Sequence, residues 1–212
     1  MGENQGNPAY QIKWLTQKKV QQLLMDSPWS KAMLAKLRRG IGKQPGELPE
    51  LFEILFMDMP EELYGKGDEP SYAEWALYTS LTLFALHQQG KERPMSVGGI
   101  VDGKNIGKSF GAAIGTLVKQ DKEREIAIKR RFDAVLTSNE FTEFAYHARS
   151  LIQLLKGGDI ALDYPRFATE LYWYQFEETR NRIRLRWGED YYRIAHLNVK
   201  TDNTEKEKGG VS

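Results

Sequence analysis

Apolar side chains return every three or four residues through almost the whole chain, and that period constrains its fold more than any other feature. Phe141, Phe144, Ala145, Ala148, Leu151, Ile152 and Leu155 fall on one face of a helix, which Gly157-Gly158 is expected to cap. The same spacing joins Ile12, Leu15, Lys19, Leu23 and Leu24 within residues 10–26, then Trp29, Met33, Leu34 and Leu37 up to Gly40. Ile106, Phe110, Ala113, Ile114 and Leu117 restore it, and Ile128, Phe132 and Val135 continue it over 121–136. Start signals agree. Ser27-Pro28 reads as an N-cap followed by a first-turn proline, and Asp163 with Pro165 opens a helix bearing Phe167, Leu171, Tyr174 and Gln175. Ser71 stands three residues before Glu74, the spacing of a capping box. The helix it opens carries large residues on several sides, so it is expected to be the most buried.

RNRIRLRW, Arg180 to Trp187, looks at first like an exception, because arginine alternates there as in a half-buried strand. A strand would put Ile183, Leu185 and Trp187 on one face and all four arginines on the other. At 100° per residue, however, Phe176, Ile183, Trp187, Tyr191 and Ile194 form one stripe that also contains Arg180 and outruns the alternation. The segment is read as a helix. The fold class is therefore all-α, a compact helical bundle with a glycine-rich connecting region over 91–105, where PMSVGGIVDG has room for a little extended structure. The expected division is an N-terminal helical half (1–100), a C-terminal helical bundle (101–199) and a tail (200–212) with almost nothing to bury.

Composition excludes more than it identifies. The chain lacks cysteine, which removes disulfides, thiolate metal sites and cysteine nucleophiles. Thirty Lys+Arg against 29 Asp+Glu give a net charge of +1, so nucleic-acid binding must be argued from local clusters. No membrane-spanning run and no basic-then-apolar leader is visible, and a cytoplasmic protein is expected.

GKNIGKS, Gly103 to Ser109, resembles a phosphate loop, but only three residues separate its first glycine from Gly-Lys-Ser, and Asp102 stands where the glycine should be. A helix-start loop is the better reading. His87, His147 and His196 are scattered, without metal-ligand spacing. Asp159 and Asp163 lie close in sequence with no evident partner, and Asp163 reads more easily as a cap. Neither an enzyme nor a cofactor is expected. What remains is basic clustering: Arg38 and Arg39 with Lys43; Lys129, Arg130 and Arg131; Arg149; and Arg180, Arg182, Arg184 and Arg186. Arg182, Arg186 and Arg193 share one band of the last helix, a geometry suited to successive phosphates. Surface ion pairs and buried stems are the competing account of many of these residues, with Arg180 the strongest case. Taken alone, the residues leave nucleic-acid binding and protein scaffolding both open.

Longer patterns discriminate further. RRFDAVLTS, FTEFAYHARSLIQLLKG, LDYPRFATELYWYQ and RIRLRWGEDYYR, with LRRG near residue 38 and GKSFGAAIGTL near 107, resemble the small-subunit family of type I-E CRISPR surveillance complexes, the Cascade complexes. The resemblance covers about residues 20 to 195. It implies an all-helical, non-catalytic subunit, normally present in two copies beside other protein subunits and the crRNA-containing assembly. It also implies a basic surface offered to the target and displaced DNA strands. Carried onto this chain, the candidate contacts are Arg38, Arg39, Lys43, Lys108, Lys129, Arg130, Arg131, Arg149, Arg182, Arg184 and Arg186. Trp173, Tyr174, Trp187 and Tyr191 suggest base stacking, although the spacing of Trp187 and Tyr191 favours the core.

Overall fold

The computed structural model describes residues 6–196; the expected tail at 200–212 lies outside them. Among the described residues the chain forms helices α1 (Pro8–Leu24), α2 (Pro28–Arg39), α3 (Phe52–Phe56), α4 (Tyr72–Gln88), α5 (Phe110–Gln120), α6 (Glu125–Thr137), α7 (Phe141–Gly157), α8 (Tyr164–Tyr174) and α9 (Glu177–His196). The glycine-rich connection holds one small antiparallel ribbon, β1 (Ile100–Val101) against β2 (Lys104–Asn105).

Local chemistry sets most of the starts. Ser71 Oγ accepts the Glu74 N–H at 3.0 Å while Glu74 Oε2 accepts the Ser71 N–H at 2.6 Å, the expected capping box of α4. Ser27 caps α2 and Asp163 caps α8, each followed by proline in the first turn. Two boundaries differ from expectation. The helix anticipated from Ile106 begins at Phe110, because Ser109 accepts the Ala112 N–H. It breaks at Asp121, whose side chain caps the short turn Lys122–Arg124 before α6. α7 ends at Gly157 with Gly158 as its C-cap, as expected, although the left-handed residue is Asp159 (φ 56°) and not Gly158 (φ −85°). Gly158 is small for another reason, since a Cβ there would lie 2.9 Å from Leu117 Cδ1.

One continuous core runs through both halves of the chain, from Ile12 and Leu15 through Leu81, Phe84, Leu151 and Phe167 to Trp187. α4 is buried without a break from Ala76 to His87, as a helix apolar on all sides must be. It packs on α7 and α8, and α1 also lies on α8. Residues 95–97 run beside Leu162, with Val97 N–H donating to Leu162 O and Leu162 N–H to Met95 O, both at 3.0 Å. Lys19, in the apolar stripe of α1, donates to Met57 O at 2.8 Å; burial pushes its ammonium pKa down to about 8, with Asp58 pulling the other way. α5 lies along α9 through Gly111 and Gly115, where the two backbones come close.

His87 gives this core a pH dependence. Its ring is fully buried, with Nδ1 3.1 Å from the Tyr164 hydroxyl. Burial, reinforced by the nearby Lys91 charge, pushes its pKa down to about 4 from an ordinary 6.5. The unfolded chain takes up this proton near pH 6.5, whereas the folded chain does so only near 4. Stability therefore falls as pH drops through that window, by about 2 kcal/mol between pH 7 and 5 from this group. Urea unfolding across that range checks it, and His87→Gln should flatten the slope.

Candidate nucleic-acid interface

The arginine-rich segment lies wholly inside α9. Ile183, Trp187, Tyr191 and Ala195 form its buried stripe, whereas Leu185, which a strand would have buried with them, is 63% exposed. Two edges of the expected stripe shift: Phe176 precedes the helix, and Ile194 gives way to Ala195, lying 37% exposed at the rim. Glu177 and Glu178 in the first turn and Arg193 and His196 in the last suit the helix dipole. Trp187 packs against Phe144 and Tyr174 at centroid distances of 5.8 and 5.6 Å, and Tyr191 against Phe132 at 5.1 Å. Trp187, Tyr191 and Tyr174 are core residues; Trp173 stays half-exposed.

A buried polar chain holds α9 in place. Trp187 Nε1 donates to Glu170 Oε2 at 2.6 Å, and Arg166 Nε donates to Glu170 Oε1 at 2.7 Å. Arg166 Nη2 reaches Asp190 Oδ2 at 3.4 Å, and Ser109 Oγ donates to the same oxygen at 2.6 Å. α5, α8 and α9 are thereby joined. Burial pushes the Glu170 carboxyl above its usual range, and the Arg166 guanidinium and the Trp187 N–H pull it back.

The sequence-expected cations divide among several surroundings. Arg182 and Arg186 are exposed, make no ion pair among the described residues, and line a shallow depression with Lys13, Arg166 and Trp173. Lys13 and Arg166 were not anticipated from the sequence. Arg193, in the same band, pairs with Asp190 at 3.3 Å. Arg184 turns the other way, donating to Ser138 O at 2.6 Å and Asn139 Oδ1 at 3.1 Å. Arg180 donates to Tyr174 O, in keeping with a structural role. Arg39 pairs with Glu50 at 2.7 Å, Lys43 with Glu47 at 3.3 Å and Lys129 with Asp133 at 2.6 Å. Arg131 bonds to Ala127 O, and Arg130 is exposed. Arg38 lies close enough to Lys156 to help lower its pKa, after burial and Lys91. Lys43 and Arg149 line a separate cleft between α4 and α7. Lys108 is exposed at the entry to α5. The glycine before it answers to packing, because a Cβ at Gly107 would overlap the Asp163 carboxylate. Asp159, partnerless in sequence, pairs with Lys91 at 2.6 Å.

A helical body that keeps several cations, Arg182 and Arg186 among them, exposed and without ion pairs among the described residues has the makings of a binding and assembly protein. The family model of the CRISPR-associated protein Cse2 matches residues 33–192. The chain belongs to the Cse2 family, the small-subunit family of type I-E CRISPR surveillance complexes, and is a non-catalytic member of it. The crystal structure of CasB from Thermobifida fusca is similar at 25% identity and TM-score 0.69, over 86% of this chain and 98% of that one. CasB from M. ruber gives 19% identity and TM-score 0.62 over 93% and 98%. A chain of a structure described as a CRISPR RNA-guided surveillance complex gives 15% and 0.66 over 95% and 99%. A search of curated proteins returned no match.

Proposed function

We propose that this chain stands beside the crRNA-bound backbone of a cytoplasmic surveillance complex, with a second copy of itself, and steadies the target and displaced DNA strands by phosphate contacts. The observation that carries the reading is the pair Arg182 and Arg186. They lie one turn apart on α9, exposed and free of ion pairs among the described residues, while Trp187 and Glu170 fix the helix behind them. Lys13 extends the positive charge onto α1, whereas Arg166 on α8 is balanced by Glu170 and Asp190. Contacts of this kind position a strand without reading its bases, and sequence is left to pairing with the guide. A net charge of +1 favours weak binding by the isolated chain and effective binding only when assembly presents several contacts together.

Pure scaffolding is the competing reading. It draws support from Arg39, Lys43 and Lys129, which are paired with carboxylates, and from Arg184, which is engaged by backbone and side-chain acceptors. Complexes assembled with the Arg182→Ala/Arg186→Ala chain separate the two. Subunit content should be unchanged while retention of matched target DNA weakens by about tenfold, to a similar degree for different target sequences. Unaltered retention favours the scaffold; failure to assemble before DNA is added places the pair at a protein interface.

A further inference from the structure

The cleft that holds Lys43 and Arg149 is built differently from the depression on α9. It has a volume of about 340 Å³ and lies between α4, α7 and residues 41–47. That is the lower end of the range for small-ligand sites, about 300–1,000 Å³, and suits a single nucleotide better than a duplex. Three aromatic rings line it, of which Tyr78 is buried with its hydroxyl donating to Gly40 O at 2.7 Å. Trp75 is half-buried and held edge-on by Phe141 at 5.8 Å, whereas Tyr146 is 74% exposed. Thr79 lies at its buried side, yet the Thr79 hydroxyl makes no hydrogen bond among the described residues, unlike Thr82 beside it, which donates to Thr79 O at 3.1 Å. Arg149 is exposed without an ion pair among the described residues. Glu47 is the one carboxylate lining the cleft, and it is occupied: Oε1 accepts the Gln44 N–H at 2.6 Å and Oε2 the Lys43 ammonium at 3.3 Å. An exposed pair of that kind is worth little, so Lys43 can exchange it for a phosphate.

We propose that this cleft takes one nucleobase turned out of a single DNA strand. The base lies against Trp75 and Tyr146, its polar edge meets the Thr79 hydroxyl, and the adjoining phosphate sits between Arg149 and Lys43. Stacking on aromatic rings tolerates any base, and the two cations give the backbone its place, which together suit a strand held without regard to sequence. The inference rests on the reading that this protein meets single-stranded DNA, and it adds a site apart from Arg182 and Arg186.

The full-length protein is titrated with a five-residue oligothymidylate and with an abasic strand of the same length, while the Trp75 indole and Thr79 resonances are followed by NMR. The wild-type chain should bind the base-bearing strand about tenfold more tightly, the scale of one base–aromatic stack. Tyr146→Ala should abolish that preference and Thr79→Val reduce it, with affinity for the abasic strand and thermal stability unchanged. Tyr146 is exposed, so its truncation leaves the fold intact even if Thr79→Val proves disruptive. Equal affinity for both strands, or unmoved Trp75 and Thr79 resonances at saturation, overturns the cleft assignment while leaving the Arg182 and Arg186 contacts standing. Absence of binding to either strand at millimolar concentration also overturns it. So does a response of these resonances to partner subunits alone, which would make the cleft a protein contact.

Discussion

Gly111→Ala is expected to destabilise the protein by about 3 kcal/mol or more, even though alanine is the better helix former by about 1 kcal/mol. The reason lies across the α5–α9 seam. A Cβ at Gly111 would stand 2.7 Å from the Trp187 carbonyl carbon and closer still to its oxygen. Those are backbone atoms of a helix anchored by a fully buried tryptophan, so no flexible side chain can swing aside. The helices must part, and the contacts they share are lost along their length. Gly115, one turn on, is bound by the same condition, its added Cβ falling 2.6 Å from Tyr191 O. Gly188→Ala supplies the control: nothing lies within 4 Å of a Cβ there, so the helix gains propensity without a clash. Chemical denaturation of the three chains checks the order, with Gly188→Ala at least as stable as wild type and Gly111→Ala far below it.

Trp187→Ala should cost more than its size alone dictates. Removing a buried tryptophan costs about 3–5 kcal/mol through lost burial and the cavity left behind. The substitution also takes the 2.6 Å donor from Glu170 Oε2, a carboxylate with almost no access to solvent. Leaving that oxygen unpaired adds about 1–3 kcal/mol. Trp187→Phe separates the two contributions, since it keeps most of the ring packing against Phe144 and Tyr174 while deleting the N–H. It should show the smaller penalty, and Glu170→Gln combined with it should recover part of the loss.

Much of the helical order is legible in the sequence because its determinants are local. Ser71 with Glu74 and Asp163 with Pro165 fix helix starts within four residues of chain. α9 is legible despite its alternating arginines because the apolar stripe is longer than the alternation. The ends at Phe110 and Asp121 are harder to see, since apolar spacing runs through both while a side-chain oxygen decides the break. Other features depend on which element lies opposite. Gly111 and Gly115 stand in plain view within GKSFGAAIGTL, but their purpose appears only when α9 is laid across them. Lys13 and Arg166 join Arg182 and Arg186 through the docking of α1, α8 and α9, which no local pattern specifies. Arg184 differs from its two arginine neighbours only in the direction it leaves the helix, toward Ser138 and Asn139. Lys129 and Asp133 meet at the four-residue spacing of a helix face on α6, whereas Lys43 and Glu47 meet in a loop between helices, where spacing alone dictates no contact.

The salt dependence of DNA retention by assembled complexes tests the central claim most directly. Each phosphate neutralised by the protein releases counterions and contributes about 0.7 to the logarithmic salt slope on a single strand and about 0.9 on a duplex. If Arg182 and Arg186 each hold a phosphate, the Arg182→Ala/Arg186→Ala complex should bind more weakly and show a slope shallower by about 1.5 for each copy of the chain in contact with DNA. The same affinity and the same slope as wild type, in complexes with a full complement of subunits, would contradict the account.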